Sequence, residues 1–144
     1  MGQLNFHVVQ ADWDTLKEHA QAIRYEVFVE EQNVPVELEW DAMDAVCLHA
    51  VAYDEQQQTL GTGRLLPDGH IGRMAVRKIA RGSGVGAGIL LALMAAAKQR
   101  GDAKIQLNAQ VSAEGFYQRY GFARYGEIFV EAGIDHVHMQ HVFP

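Results

Sequence analysis

The chain has 144 residues, 49% of them hydrophobic, with 2 Trp, 5 Tyr and 6 Phe. That suits one globular domain over residues 1–144 and excludes a disordered chain. The net charge is −6 and the 12 Lys and Arg are scattered, so the clustered basic surface that nucleic acid needs is missing and no nucleic-acid partner is expected.

No segment is long and apolar enough to cross a membrane, and the N-terminus lacks the charged and apolar regions of a signal peptide. A cytoplasmic protein without membrane contact is expected. Cys47, the single cysteine, can form no intrachain disulfide and sits in the apolar run Ala45–Leu48, where a thiol acts as a small hydrophobe.

Leu4 to Val9 alternates apolar and polar residues as a first strand. Asp12 suits the N-cap of a helix. Trp13, Leu16, Ala20, Ile23, Val27 and Phe28 recur at helical spacing and predict one or two helices from Trp13 to about Glu31. Asn33 to Ala45 reads as an acidic loop containing Glu37, Glu39, Asp41 and Asp44.

Leu48 to Tyr53, Thr59 to Leu66 and His70 to Val76 form an antiparallel meander, turning at Asp54–Gln58 and at Pro67-Asp68-Gly69. A glycine-rich loop leads into a helix carrying Ile89, Leu90, Leu93, Met94 and Ala97 that ends near Gly101. Lys104 to Asn108 is a strand, and Ser112 to Tyr120 a short helix stopped by Gly121. Phe122 to Val130 and His136 to Val142 close the chain, joined by Glu131-Ala132-Gly133. The order βα(α)βββαβαββ implies an α/β (α+β) fold whose mixed, mostly antiparallel sheet is flanked by helices. Edge strands at the final hairpin suit pairing in a homodimer.

The loop Arg81-Gly82-Ser83-Gly84-Val85-Gly86-Ala87 lies between a strand and a helix. Glycines there let successive N–H groups converge, and the helix N-terminus adds partial positive charge, a geometry for phosphate. Arg77 and Arg81 flank it. A Walker loop is absent. A dinucleotide fingerprint fits only at Gly82, Gly84 and Ala87, past mid-chain and without an acidic residue about 20 positions on. Taken alone, the glycines serve equally well as a turn that packs a helix.

The loop, following Met74-Ala75-Val76, resembles the Arg-x-x-Gly-x-Gly signature of the Gcn5-related N-acetyltransferases (GNAT). Phe116-Tyr117-Gln118-Arg119-Tyr120-Gly121-Phe122 resembles a second motif of that family, with Ala113 four residues before the tyrosine. The resemblance covers essentially the whole chain and implies the acyl-CoA N-acyltransferase fold. Arg24 to Gln32 and Glu131 to His136 are also similar to stretches in a small, poorly characterised bacterial subgroup.

The resemblance implies an acetyl-CoA-dependent N-acetyltransferase without a metal. Amides of Arg81, Gly82, Ser83, Gly84, Val85, Gly86 and Ala87 would hold the coenzyme A diphosphate. The strand edge Met74, Ala75, Val76 would bind pantetheine, the Met74 N–H polarising the thioester carbonyl. Tyr117, next to Phe116, would protonate the leaving thiolate. Gln110 stands where the family commonly has a pantetheine-binding Asn, and Asn108 is a second residue for that contact.

An ammonium must lose a proton before it can attack. His70 falls where some members carry a histidine base, with Glu31, Asp44 and His49 as alternatives. Arg24, Glu31, Gln32 and His136 are the substrate-side residues, facing a small-molecule or peptide amine. His136 and His138 share a strand face with Gln140, but spacing supplies no third zinc ligand. No activated nucleophile is visible, so direct transfer is expected. The rival readings are a CoA-binding sensor of the same fold and an NAD(P) oxidoreductase.

Overall fold

The computed structural model describes residues 5–39 and 41–144. Leu4, the expected first residue of the first strand, lies outside them. Seven strands form one sheet in the order β1-β2-β3-β4-β5-β7-β6. They are β1 (Phe6–Ala11), β2 (Leu48–Asp54), β3 (Thr59–Leu65), β4 (His70–Val76), β5 (Lys104–Gln110), β6 (Ala123–Glu131) and β7 (Ile134–Val142). Every neighbouring pair is antiparallel except β4–β5, which is parallel.

Alternation along the strands builds two cores, one on each face. On one face α1 (Trp13–Arg24) buries Leu16, Ala20 and Ile23 with Val51, Tyr53 and Ala75. Asp12 caps this helix, its Oδ1 accepting from the Thr15 N–H at 3.0 Å. On the other face α3 (Val85–Arg100) packs Ile89, Leu90, Leu93 and Ala97 against Ala50, Ala52, Leu60, Ile105 and Met139. Gly101, at φ +96°, ends it as a glycine cap does.

The expected helix from Trp13 to Glu31 changes character midway. Beyond α1, Tyr25–Glu31 is a π-helical turn, closed by Gln32 N–H donating to Val27 O at 3.1 Å. Such wide turns gather at functional sites. The acidic loop expected over 33–45 instead holds a one-turn helix, α2 (Val36–Glu39), and a 3₁₀ turn, Ala42–Val46, capped by Asp41 Oδ1 accepting from the Met43 N–H. The expected Ser112–Tyr120 helix is divided into a 3₁₀ turn, Val111–Ala113, and α4 (Glu114–Gln118).

Two irregularities in the central strands position the site. Thr62 faces Ala75 while Arg64 faces Gly72, so β4 carries one extra residue and bulges at Arg73 and Met74. Arg73 sits at φ +49°, in the left-handed region that a non-glycine residue adopts at a cost. Opposite, Gly63 leaves room for the Met74 side chain: a Cβ there would lie 2.5 Å from Met74 Sδ. Second, β4 and β5 pair only at His70–Gln106 and Ile71–Leu107. Past that point the sheet opens.

Candidate active site

The opening between β4 and β5 is a cavity of about 680 Å³, within the range of small-molecule sites. Its walls are Gly72 to Val76 on β4, Leu107, Asn108 and Gln110 on β5, and Ala113 and Tyr117 from the segment after β5. Val27, Phe28, Glu31, Gln32, Val34 and Leu38 close it from the α1 side, with Glu131, Ala132, Ile134 and His136 from the final hairpin.

Of the residues singled out in the sequence, His70, Met74, Ala75, Val76, Arg81, Asn108, Gln110, Tyr117, Glu31, Gln32 and His136 meet in this one cavity. Gln110 Nε2 donates to Gln32 Oε1 at 2.9 Å, a bridge between residues 78 positions apart. The Tyr117 side chain is buried against Phe116 and Phe122. Burial pushes its phenol up to about 12, because the phenolate loses its hydration. Tyr117 therefore holds its proton throughout the physiological range.

The glycine loop divides. Arg81 lines the cavity, whereas Gly82 to Ala87 do not. Gly82 at φ +80° and Gly84 at φ +88° make the turn that left-handed backbone requires. An added Cβ at either would meet nothing within 4 Å. Gly84 is the N-cap of α3, with no side chain capping its first turn, so those amides stay open to an anion. Ser83 Oγ is turned inward to Ala80 O. Phe116 lies outside the cavity wall and supports the same turn, 3.6 Å from where a Gly86 Cβ would sit.

Arg81 is already engaged. It binds Glu31 through two hydrogen bonds of 2.6 and 2.7 Å, and its Nε donates to Val76 O. Those bonds hold the Glu31 carboxyl below its ordinary value. Arg77, the other expected phosphate partner, pairs with Glu26 and donates to Thr59 O.

Three expectations are corrected. Arg24 is not a substrate-side residue: only 3% exposed, it donates to Glu39 and to both Asp44 oxygens, beneath Trp13. Asp44 is occupied as acceptor for Arg24 and Arg64, and lies outside the cavity wall. His49 is buried, its ring tilted against Trp13, with Nε2 donating to Asp44 O at 2.9 Å. Burial lowers its pKa. Neither Asp44 nor His49 is placed to take a proton from a molecule in the cleft.

Around Arg24 lies a network that sequence reasoning missed. Arg24, Arg64 and Arg73 interlock with Glu39, Asp41 and Asp44. Burial alone would raise the Asp41 carboxyl, but hydrogen bonds from Arg64 and from the Met43 N–H hold it below its usual value. The network pins α2 and the 3₁₀ turn onto β3 and the β4 bulge, and Glu39, Asp41, Arg64 and Arg73 line the cleft. One signal was available: a guanidinium such as Arg64, within a buried strand, requires a carboxylate partner.

The final hairpin carries a ring ladder. His138 lies 4.5 Å from Phe129 and 5.4 Å from Tyr125, and its Nδ1 donates to Asn108 Oδ1 at 2.6 Å. His136 is 5.7 Å from Phe129, and its Nδ1 donates to Ile134 O at 2.7 Å. His70 Nδ1 lies 3.0 Å from Asp68 Oδ1, beside a turn. Among the described residues no group of His, Cys, Asp and Glu is placed to hold a metal, and no helix is long and apolar enough to cross a membrane.

Comparison with known proteins agrees with this architecture. Residues 13–143 match the family model described as an acetyltransferase (GNAT) domain. The chain is 40% identical over 136 residues to the uncharacterized N-acetyltransferase YjcF of Bacillus subtilis (strain 168), covering 92% of this chain and 96% of that one. Among solved structures, an acyl-CoA N-acyltransferase from Pseudomonas aeruginosa superposes with a TM-score of 0.83 at 31% identity, over 96% of this chain and 100% of the other. Escherichia coli ElaA superposes with the same TM-score at 25% identity, over 95% and 99% of the two chains.

Proposed function

The chain belongs to the GNAT acetyltransferase family, and from that premise we propose that it is an acetyl-CoA-dependent N-acetyltransferase acting directly on a primary amine. The observation that carries the reading is the opening of the sheet at the β4 bulge. The unpaired edge of Met74, Ala75 and Val76, the Arg81 that leads into the glycine turn, and Tyr117 all line that opening, and this supports the reading.

Acetyl-CoA, as co-substrate, supplies an acyl carbon activated as a thioester. The residues present fit it. The uncapped first turn of α3, with Gly82 and Gly84, offers amides to a diphosphate. Met74, Ala75 and Val76 lie past the last β4–β5 pair, so their edge toward β5 is unpaired. Such an edge takes an extended amide chain as an added strand. The Met74 N–H acts on the thioester carbonyl, and Gln110 or Asn108 contacts the pantetheine amides. Tyr117 gives its proton to the leaving sulfur. A phenol near 12 transferring to a thiol of about 8.5 runs uphill in water, but a sulfur buried beside it is raised in the same direction.

The acceptor enters from the α1–α2 side, where Phe28, Val34 and Leu38 give an apolar wall and Glu31, Gln32 and His136 the polar groups. A small-molecule or peptide amine in the cytoplasm fits this reading.

The test is a thermal-shift titration with acetyl-CoA, CoA and NAD(P) in parallel. Ligand at about 100 times its dissociation constant adds about 2.7 kcal/mol to stability. A shift with the CoA species alone, lost in Arg81→Glu, is expected. Tyr117→Phe should keep the shift and lose thiol release by about 10²-fold or more. A shift with NAD(P) instead would overturn the reading.

A further inference from the structure

The structure carries two imidazoles into the cleft, His70 and His136, and they are not equivalent. Acyl transfer, the function proposed for this cleft and the basis of this step, needs a group that takes a proton from the acceptor beside the thioester. We infer that His136, rather than His70, is that base.

Position along the sheet separates the two. The last β4–β5 pair is Ile71–Leu107. Met74 stands three residues beyond Ile71, and Gln110 three residues beyond Leu107. His136 is the partner of Gln110 on β7. His136 is therefore level with the bulge, to within its one extra residue. His70 stands four residues before Met74, roughly 13 Å along a strand at about 3.3 Å per residue.

The sheet face agrees. Ile105, Leu107, Ala109, Val137 and Met139 point into the core under α3, and Tyr117 joins them there. The alternate residues Gln110 and His136 project from the opposite face, where Gln110 meets Gln32. Tyr117 and His136 thus reach one cavity from opposite faces of the sheet.

The tautomer is also set. Ile134 O can only accept, so the Nδ1 of neutral His136 carries the proton. Nε2 is left with its lone pair and no hydrogen-bond partner among the described residues. The ring is 7% exposed and lines the cavity. Glu131 Oε2 lies 3.9 Å from Nε2. Around this end stand Glu131 and exposed Asp135 from the hairpin, Phe129 from β6, Gln110 from β5, and Gln32 and Glu31 from the π-helical turn, Glu31 already paired with Arg81. His70, by contrast, holds Asp68 beside an exposed turn.

The protons balance. Nε2 takes one proton from the ammonium and later releases it to solvent. The neutral amine attacks the carbonyl carbon; a C–N bond forms and the C–S bond breaks. Tyr117 protonates the departing sulfur and regains a proton from the nitrogen, leaving an amide N–H.

The experiment uses two small probe nucleophiles, ethylamine and hydroxylamine, with acetyl-CoA, reading thiol release from pH 6 to 9. Ethylamine is protonated at neutral pH and needs a base; hydroxylamine is not. His136→Gln should slow the ethylamine reaction about 10²-fold near neutral pH at saturating amine, with the loss shrinking toward pH 9 as the free-amine fraction grows. The hydroxylamine rate should fall much less than the ethylamine rate, and acetyl-CoA affinity should change less than about threefold. Equal losses with both nucleophiles, or the same pH-dependent loss in His70→Gln instead, would overturn the assignment. A wild-type protein that binds no acetyl-CoA fails the acyltransferase reading itself; one that turns over with an unaltered profile in His136→Gln fails only the role of His136.

Discussion

The β4 bulge depends on an absence, the missing side chain of Gly63, and that dependence can be measured. A Cβ at Gly63 would lie 2.5 Å from Met74 Sδ, 3.0 Å from Ile89 Cγ2 and 3.1 Å from Leu93 Cδ1. The first separation is impossible and the other two are tight, so Gly63→Ala overpacks the contact between β3 and α3. Its expected cost is about 1–3 kcal/mol. Ile89 and Leu93 are fully buried on α3 and give little. Met74 is flexible and only partly buried, so it moves, and the bulge it belongs to moves with it.

The worst clash is therefore relieved by truncating its partner. Met74→Ala in the Gly63→Ala background should recover about 1 kcal/mol or more relative to the sum of the single changes, a coupling normal for residues in contact. Urea unfolding of the four proteins, with unchanged m-values, reads this directly. Gly61→Ala is the contrast. Its Cβ would meet Ile89 Cδ1 at 2.9 Å and the Ala75 carbonyl oxygen at 3.0 Å, and backbone cannot be truncated away. No rescue by Met74→Ala is expected there. Additivity within about 0.5 kcal/mol at Gly63 would refute the claim that Gly63 exists to seat Met74.

Arg24→Met should cost about 3–5 kcal/mol in urea unfolding, since among the described residues it leaves buried Glu39 with only Arg73 at 3.7 Å and buried Asp44 with only Arg64; a loss under 1 kcal/mol would show the network to be a surface feature. His49 is held neutral by burial, below its unfolded value of about 6.5. The unfolded chain therefore binds the extra proton first, stability falls as pH drops through about 6.5, and His49→Gln should flatten melting temperature between pH 7.5 and 5. Glu31→Gln releases Arg81 from an exposed pair worth about 0.2–1 kcal/mol, so acetyl-CoA binding should tighten by up to about fivefold; weaker binding would mean that Glu31 supports the donor rather than competing for Arg81.

What the sequence revealed is what local chemistry encodes. Asp12 reads as a cap because a carboxylate there serves the amide three residues on. The strand His70–Val76 reads correctly to its ends because a Pro-Asp-Gly turn precedes it and the glycine loop comes after it. The loop and Phe116-Tyr117 stand out because each motif is contiguous. Arg64, Arg73, Glu39 and Asp41 did not, because their meaning is tertiary: Arg64 finds Asp44 across 20 residues and Asp41 across 23. An acidic run with no visible partner reads as solvated loop. The bulge was hidden for a different reason, since Arg73 takes a positive φ without the glycine that would announce it.

The two walls of the cleft are consequently held by different physics. The α3 wall rests on close packing against Gly61 and Gly63, and small changes of volume reach Met74 and the β4 bulge. The α1–α2 wall rests on charge. Leu38 is 56% exposed, so α2 owes its place less to apolar burial than to Glu39 and Asp41 gripping three guanidinium groups. Phe28, Val34 and Leu38, which line the cleft, lie outside that grip. Their side chains can change while the network holds the backbone, whereas substitutions at Gly61 or Gly63 disturb fold and donor site together. On the proposed function, substrate range is free to vary on the wall held by ions, and acyl-donor binding is tied to the wall held by packing.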